Sequence, residues 1–357
     1  MELTLENLGF NETLKTYRIE NGLDSFEIGR VISEHRERYV VKSDKGEFEG
    51  ELIGNLRYTA EDRLDFPAVG DWVAISEYDE GKVIIHAVYP RHSILERQAV
   101  GTNGQVQIIA TNIDVGLIVQ AVDRDFNLNR VERYLTICNA SRVKPVLLLS
   151  KTDLIKEEEL AELVKSVQER LVGIPVFCIS SQKKGGYHQL AKFIEKEQTY
   201  CLLGSSGVGK STLLNNLSGR EHMKTGEISS SVHKGKHITT HRELVVLDNG
   251  GILIDNPGMR EVGIADASDG LEMTFDQIMD LANNCRFKDC THQHEKGCAV
   301  LEAMDKDQLD ASAYENYMKI QREKEHFEST VQEKRRKDKS LGKMIKSAVS
   351  HRKNNKF

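Results

Sequence analysis

One octapeptide constrains this chain of 357 residues more than any other feature: Gly204-Ser205-Ser206-Gly207-Val208-Gly209-Lys210-Ser211. It directly follows the apolar run TYCLL and opens KSTLLNNL, so a strand, a glycine-rich turn and a helix start succeed one another. The spacing is that of a phosphate loop. Its glycines let consecutive backbone N–H groups wrap an oligophosphate while the helix N-terminus adds its positive end. In such a loop Lys210 reaches the β and γ phosphates, the Ser211 hydroxyl can ligate Mg²⁺, and Thr212 continues the cradle. At a background of about 7% glycine, the pattern arises by chance in roughly 1% of chains this long.

Two further segments bear on which nucleotide is bound. Lys151-Thr152-Asp153 follows the apolar run KPVLLL and Ser150. A carboxylate there can accept from both N1–H and the exocyclic amine of guanine, a donor pair that adenine lacks. Ser180-Ser181, after IPVFCI, fits a loop that supports the base through backbone N–H groups. Asp255-Asn-Pro-Gly258 follows GILI, where a DxxG switch puts its Asp on the Mg²⁺ hydration shell and its glycine N–H on the γ-phosphate. The base-reading segments precede the phosphate loop, the reverse of the usual GTPase order. A sheet can be cut and rejoined at exposed loops without altering its site, so the order predicts a circular permutation.

The surrounding sequence divides into modules. Residues 1–36 read as a partly helical lead-in, and 37–100 as an OB-like β-barrel built on RYVVKS, EFEGELI, DWVAISEY and KVIIHAVYP. Residues 101–268 alternate Val/Ile/Leu strands (QIIAT, VGLIVQAV, KPVLLLS, IPVFCIS, TYCLLG, ELVVLD, GILIDN) with helical runs, which predicts a parallel sheet covered on both faces. Residues 269–331 form a helical Cys/His module, and 332–357 a basic tail. The fold class is therefore multidomain: barrel, permuted α/β P-loop GTPase domain, and helical zinc-binding module. Ten Lys/Arg against two acids give the tail +8; removing it from the formal −6 leaves −14 for the rest, so contact with a polyanion has to be local. No signal-like start or membrane-length apolar run is present, and a cytoplasmic, monomeric protein is expected.

Cys285, Cys290 and Cys298 cluster with His292 and His294. Three thiolates and one imidazole make a closed tetrahedral set that suits a structural Zn²⁺, and spacing alone leaves either histidine as the fourth ligand. Where many GTPases place a water-orienting Gln after DxxG, this chain has Met259, whose apolar side chain cannot orient water.

Together SKTD, GSSGVGKST, GKHITTHRE, DNPG and CRFKDCTHQHEKGC resemble the ribosome small subunit-dependent GTPase A family (RsgA, also YjeQ or YloQ) over roughly residues 28–318. The resemblance implies GTP hydrolysis stimulated by the small ribosomal subunit, contact with its rRNA, and a role in its late maturation. It implies His292 as the fourth zinc ligand, His237 as a catalytic histidine, and a switch I hydroxyl from Thr239 or Thr240. It also marks departures. Ser150 stands where the family has Asn, which predicts a lost bridge between base and phosphate loops and weaker guanine affinity, and Ile238 replaces a switch I Thr. These departures and Met259 raise one alternative, an RNA-binding assembly factor that uses GTP as a switch with little hydrolysis; a P-loop ATPase or small-molecule kinase is a second.

Overall fold

The computed structural model describes residues 4–35, 38–60, 63–98, 106–123, 126–183, 185–219, 242–256 and 268–329. The expected site residues His237, Thr239, Thr240 and Gly258 lie outside this set, as do Ile238, Met259 and the basic tail. Two compact units are present: Met1–Glu96 with Ile108–Val262, and Arg97–Gln107 with Gly263–Phe357.

In the first unit, Asn11 caps helix α1 (Glu12–Glu20) by accepting from the Leu14 amide. The strands β1 (Glu27–His35), β2 (Arg38–Ser43) and β3 (Gly46–Leu52) follow, then helix α2 (Gly54–Thr59) and strands β4 (Trp72–Asp79) and β5 (Lys82–Val88). Their order is β1-β2-β3-β5-β4, and β4 returns to pair with β1 from Glu27↔Ile75 to Arg30↔Trp72, which closes a five-stranded barrel. Alternate residues point inward, as in β2 and β3, so Val31, Tyr39, Val41, Phe48, Val73, Ile75, Val83 and Ile85 fill it. The OB-like barrel is thus as expected, but it begins earlier. Strand β1 lies inside the segment read as a lead-in, because its charged residues Glu27, Arg30, Glu34 and His35 hide a strand that is nonetheless mostly buried.

The strands β6 (Ile94–Gln98) and β7 (Val106–Thr111) form a separate two-stranded sheet, so QIIAT does not join the parallel sheet as expected. The α/β part runs β8 (Val115–Ala121), α3 (Leu128–Ala140), β9 (Lys144–Ser150), α4 (Glu157–Arg170), β10 (Val176–Cys178), α5 (His188–Phe193), β11 (Thr199–Leu203), α6 (Lys210–Ser218), β12 (Glu243–Val246) and β13 (Ile252–Asp255). Spatial order is β10-β9-β8-β11-β13-β12, parallel throughout except for the antiparallel strand β12, which on its other side pairs with β1 of the barrel at Ser33↔Glu243. Every residue of β8 and β11 is buried, which is why these strands carry continuous apolar runs. From β8 the chain winds outward to β9 and β10, then crosses back to β11 on the other flank of β8 and on to β13. This sheet therefore has its topological switch point between β8 and β11, where α/β sheets bind their ligands.

In the second unit the helices are α7 (Ser268–Thr274), α8 (Asp276–Ala282), α9 (Ala299–Asp305) and α10 (residues 311–329). Phe275 meets Tyr317 edge to face at 5.6 Å, over a small core that includes Ile278, Val300 and Ile320. Among the described residues no helix is long and apolar enough to cross a membrane.

Arg30 joins the parts of the first unit. Its guanidinium is fully buried and donates from Nε to Gly70 O (3.1 Å), from Nη1 to Leu8 O (2.5 Å), and from Nη2 to Asn112 O (3.2 Å) and Thr199 Oγ1 (3.0 Å). It also lies 5.3 Å from the Trp72 ring centre. Burial pulls its pKa down to about 10, with Asp114 and Asp71 opposing, so it stays charged at neutral pH. Replacement by Met leaves the Leu8 and Asn112 carbonyls without this donor, while Gly70 O keeps the Asn112 side-chain amide, and Arg30→Met is expected to cost about 3 kcal/mol of unfolding free energy, measured by urea titration. Lysine recovers little, because one ammonium cannot span the same acceptors.

Candidate functional site

The carboxyl ends of four neighbouring strands open on one side of the sheet: β8 and β9 end together, and β11 and β13 end within one residue of each other, three residues short of β8. Ala121 of β8 pairs with Ser150 of β9, Ile118 with Leu203 of β11, and Leu202 of β11 with Asp255 of β13. The three predicted loops emerge there side by side, although they are far apart along the chain.

The phosphate loop leaves β11 at Gly204, whose φ of 142° and packing both exclude a side chain: a Cβ there would lie 2.4 Å from Val119 O. Gly207 and Gly209 also take positive φ, and Gly209 turns the chain into α6. Lys210 is buried and donates from Nζ to Gly204 O (2.6 Å) and Ser205 O (2.7 Å). Burial lowers its pKa to about 8, opposed by the charge of Asp255. Asp255 in turn has its pKa raised by burial, with Lys210 opposing. The buried atoms Ser205 Oγ, Asp255 Oδ1 and Asn256 Oδ1 have no hydrogen-bond partner within the described chain, and all three belong to the phosphate and switch loops. Three of the five such atoms among the described residues lie here, which fits residues that bind a polar group.

The base-reading loop leaves β9 at Ser150. Its buried hydroxyl donates to Val208 O of the phosphate loop at 2.6 Å. The bridge expected to be lost with the family's Asn is therefore made by a hydroxyl. Lys151 takes a left-handed conformation (φ 59°) and pairs through Nζ with Asp123 Oδ2 at 2.8 Å. Thr152 is buried and its hydroxyl donates to Ile179 O at 3.3 Å. The Ser180 hydroxyl donates a short hydrogen bond to Asp153 Oδ1, and Ser180 Oγ accepts from the Gln182 and Lys183 amides at 3.1 and 3.3 Å. Ser181 is exposed on the same turn and bonded to the Tyr187 side chain. Ser150, Lys151, Thr152, Asp153, Ser180 and Ser181 thus lie on adjoining turns, with Ser150 bonded to the phosphate loop at Val208. Asp123 was not legible. Its signal is only a carboxylate just past the end of a central strand that carries no motif.

In the second unit, Cys285, Cys290, His292 and Cys298 bring one ligand atom each to within 4.8 Å of one another, and this group could hold a metal ion. Cys285 Sγ lies 3.8 Å from Cys298 Sγ, and His292 Nδ1 lies 3.6 and 3.4 Å from the two sulfurs. Zn–S bonds of about 2.3 Å in a tetrahedron require edges of about 3.8 Å, which these separations match. The imidazole is that of His292, held at φ 59°, and His294 is outside the group. Glu295 fixes this turn. Its carboxylate accepts from the Thr291 hydroxyl and amide (2.5 and 2.9 Å) and the Gln293 and His294 amides (2.9 and 3.0 Å). The Thr291 hydroxyl first, then the His294 and Thr291 amides, hold its pKa well below the carboxylate range. Tyr314 donates to His292 O at 2.5 Å and so braces the metal turn, while Tyr317 packs against Phe275 in the core.

The family model described as RsgA GTPase matches residues 88–265. That of the ABC transporter matches 187–352, a span that shares the phosphate loop but excludes the base-reading residues 150–153. The chain is 40% identical over 328 residues to the small ribosomal subunit biogenesis GTPase RsgA 1 of Bacteroides thetaiotaomicron, covering 91% of each. It is 39% identical to RsgA of Opitutus terrae over 90% of each. Among solved structures, YjeQ from Thermotoga maritima is 26% identical with a TM-score of 0.60, over 82% of this chain and 96% of that one. A structure described as YloQ, a circularly permuted GTPase, shares the fold at 22% identity and a TM-score of 0.59, over 87% and 96%.

Removing the bridging hydroxyl with Ser150→Ala is expected to cost about 1 kcal/mol. Faster amide exchange at Lys151–Asp153 than at the centre of β9 is the check.

Proposed function

This chain belongs to the RsgA GTPase family, and from that membership we propose that it hydrolyses GTP to GDP and phosphate in the assembly of the small ribosomal subunit. The carrying observation is the meeting of a guanine-reading carboxylate and a phosphate loop on the two flanks of β8, clasped by the Ser150–Val208 hydrogen bond.

In this reading the Asp153 carboxylate accepts from guanine N1–H and N2–H, with the Ser180 hydroxyl fixing its orientation through Oδ1. The N–H groups of Gly204–Thr212 and the start of α6 bind the phosphates. Lys210 exchanges the Gly204 and Ser205 carbonyls for phosphate oxygens; nucleotide charge raises its lowered pKa again, so the complex keeps the lysine protonated. Mg²⁺ supplies charge neutralisation at the phosphates, and Ser211 and the unpartnered Asp255 Oδ1 are the groups that would hold it or its water shell. A switch I hydroxyl from Thr239 or Thr240, the Gly258 amide and His237 as the group aligning the water complete the assignment; all four lie outside the described residues.

Phosphate release is expected to accelerate when small ribosomal subunits are added and to remain unchanged with large ones. Absence of acceleration would favour the nucleotide-switched RNA-binding factor, and ATP binding that GTP cannot displace would favour the ATPase. Asp153→Asn is expected to shift preference from guanine toward xanthine nucleotides.

We assign Zn²⁺ to Cys285, Cys290, His292 and Cys298 in a structural role, since the protein fills all four positions. Burial raises the Cys285 pKa, but the Ala299 and Val300 amides and the neighbouring Cys298 and Cys290 thiols together bring it below the ordinary thiol value, which favours the thiolate a metal needs. Metal analysis is expected to find one zinc per chain. Cys290→Ser is expected to release it while GDP affinity persists, because the nucleotide residues lie in the other compact unit.

A further inference from the structure

The strand at the topological switch point, β8, supplies no residue to any recognised motif, yet its carboxyl end lies between the base-reading loop of β9 and the phosphate loop of β11. Two residues past that end is Asp123. The backbone there is fixed: the Val122 amide donates to Ser150 O at 3.0 Å, and the Phe126 amide to Asp123 O at 2.9 Å. The carboxylate is thereby delivered to Lys151 Nζ at 2.8 Å, with both side chains about three-quarters buried, at 25% and 27% exposed.

We propose that Asp123 is a positioning residue for the guanine site, acting through Lys151. The inference rests on the nucleotide reading given above and adds a residue to it. Lys151 is the first residue of the base-reading loop, and a non-glycine residue at φ 59° persists only where its surroundings over-determine it. The ion pair is one such determinant. It anchors the far end of the side chain while Ser150, one residue earlier, anchors the backbone to the phosphate loop. With both ends tied, the methylene stem of Lys151 is held along one line beside Asp153, two residues on. It then presents a fixed apolar edge to a purine while its charge is satisfied elsewhere. An exposed pair contributes little because two long side chains must be ordered to form it; here burial and a constrained backbone have already ordered the lysine.

The cavity of about 530 Å³ at the opposite edge of the sheet, beside Arg30, Asp114 and Thr199, is a weaker candidate. None of the buried polar atoms without a partner lies in its wall.

The test is a double-mutant cycle on the full chain with fluorescent GDP and GTP turnover as readouts. Asp123→Asn keeps the shape and removes the charge; it is expected to weaken GDP binding on the order of fivefold and to move KM more than kcat. Lys151→Met is expected to weaken binding similarly, and the double variant by no more than the stronger single change. Asp123→Glu recovers part of the loss. Additive effects of the two changes, or equal GDP affinity for Asp123→Asn and the parent, would overturn the role of Asp123 and leave the GTPase reading intact. A parent chain that binds no guanine nucleotide would instead overturn that reading. If Asp123→Asn melts cooperatively at the parent temperature, lost affinity is local; if it does not fold, the comparison of Lys151→Met with Lys151→Arg decides, arginine being expected to retain affinity through the same carboxylate.

Discussion

Everything functional in the first unit depends on the parallel register of four strands. Because β9, β8, β11 and β13 all run parallel, the turns that follow them open on the same side of the sheet. A slip of one residue in β8 would send its fully buried side chains to the opposite faces and misplace both flanking loops, so the apolar sequence of VGLIVQA fixes the site as well as the core. The site needs only neighbouring strand ends. It is indifferent to whether the chain visits the base-reading strand before or after the phosphate strand, which is the physical content of a circular permutation.

This indifference explains what could be read from the sequence. The phosphate loop, SKTD, SS and DNPG are local patterns whose residue types follow from what they bind, and the described ones lie where strand-end logic puts them. Arg30 was illegible because a charge within a short alternating run reads as a solvent-facing position; only three-dimensional proximity to four separate acceptors shows why it is inside. Asp123 was hidden for a related reason: its partner is 28 residues away and no spacing rule joins them. His292 and His294 were equivalent by spacing, and what separates them is backbone conformation, since the Glu295 carboxylate gathers the amides of residues 291, 293 and 294 and turns the chain at His292 inward.

The Ser150 departure illustrates how a short side chain can keep a contact. An amide and a hydroxyl differ in reach, but the acceptor here is a backbone carbonyl of the adjacent loop, and a single O–H donor at 2.6 Å satisfies it. What the hydroxyl cannot do is donate twice. The loop is then held by one bond at Ser150, and the load passes to Lys151 and Asp153, each of which has a partner from another strand end.

The barrel is not an appendage on this sheet. Ser33 of β1 pairs with Glu243 of β12, and Glu243 pairs with Asp255 of β13, which pairs with Leu202 just ahead of the phosphate loop. One cross-strand row therefore runs from the barrel wall to the carboxylate assigned to the metal shell, and Arg30 braces it from below by tying β1 to the start of β11 at Thr199. The β12–β13 and β13–β11 steps belong to four-residue ladders, while β1 and β12 meet at the single position Ser33↔Glu243.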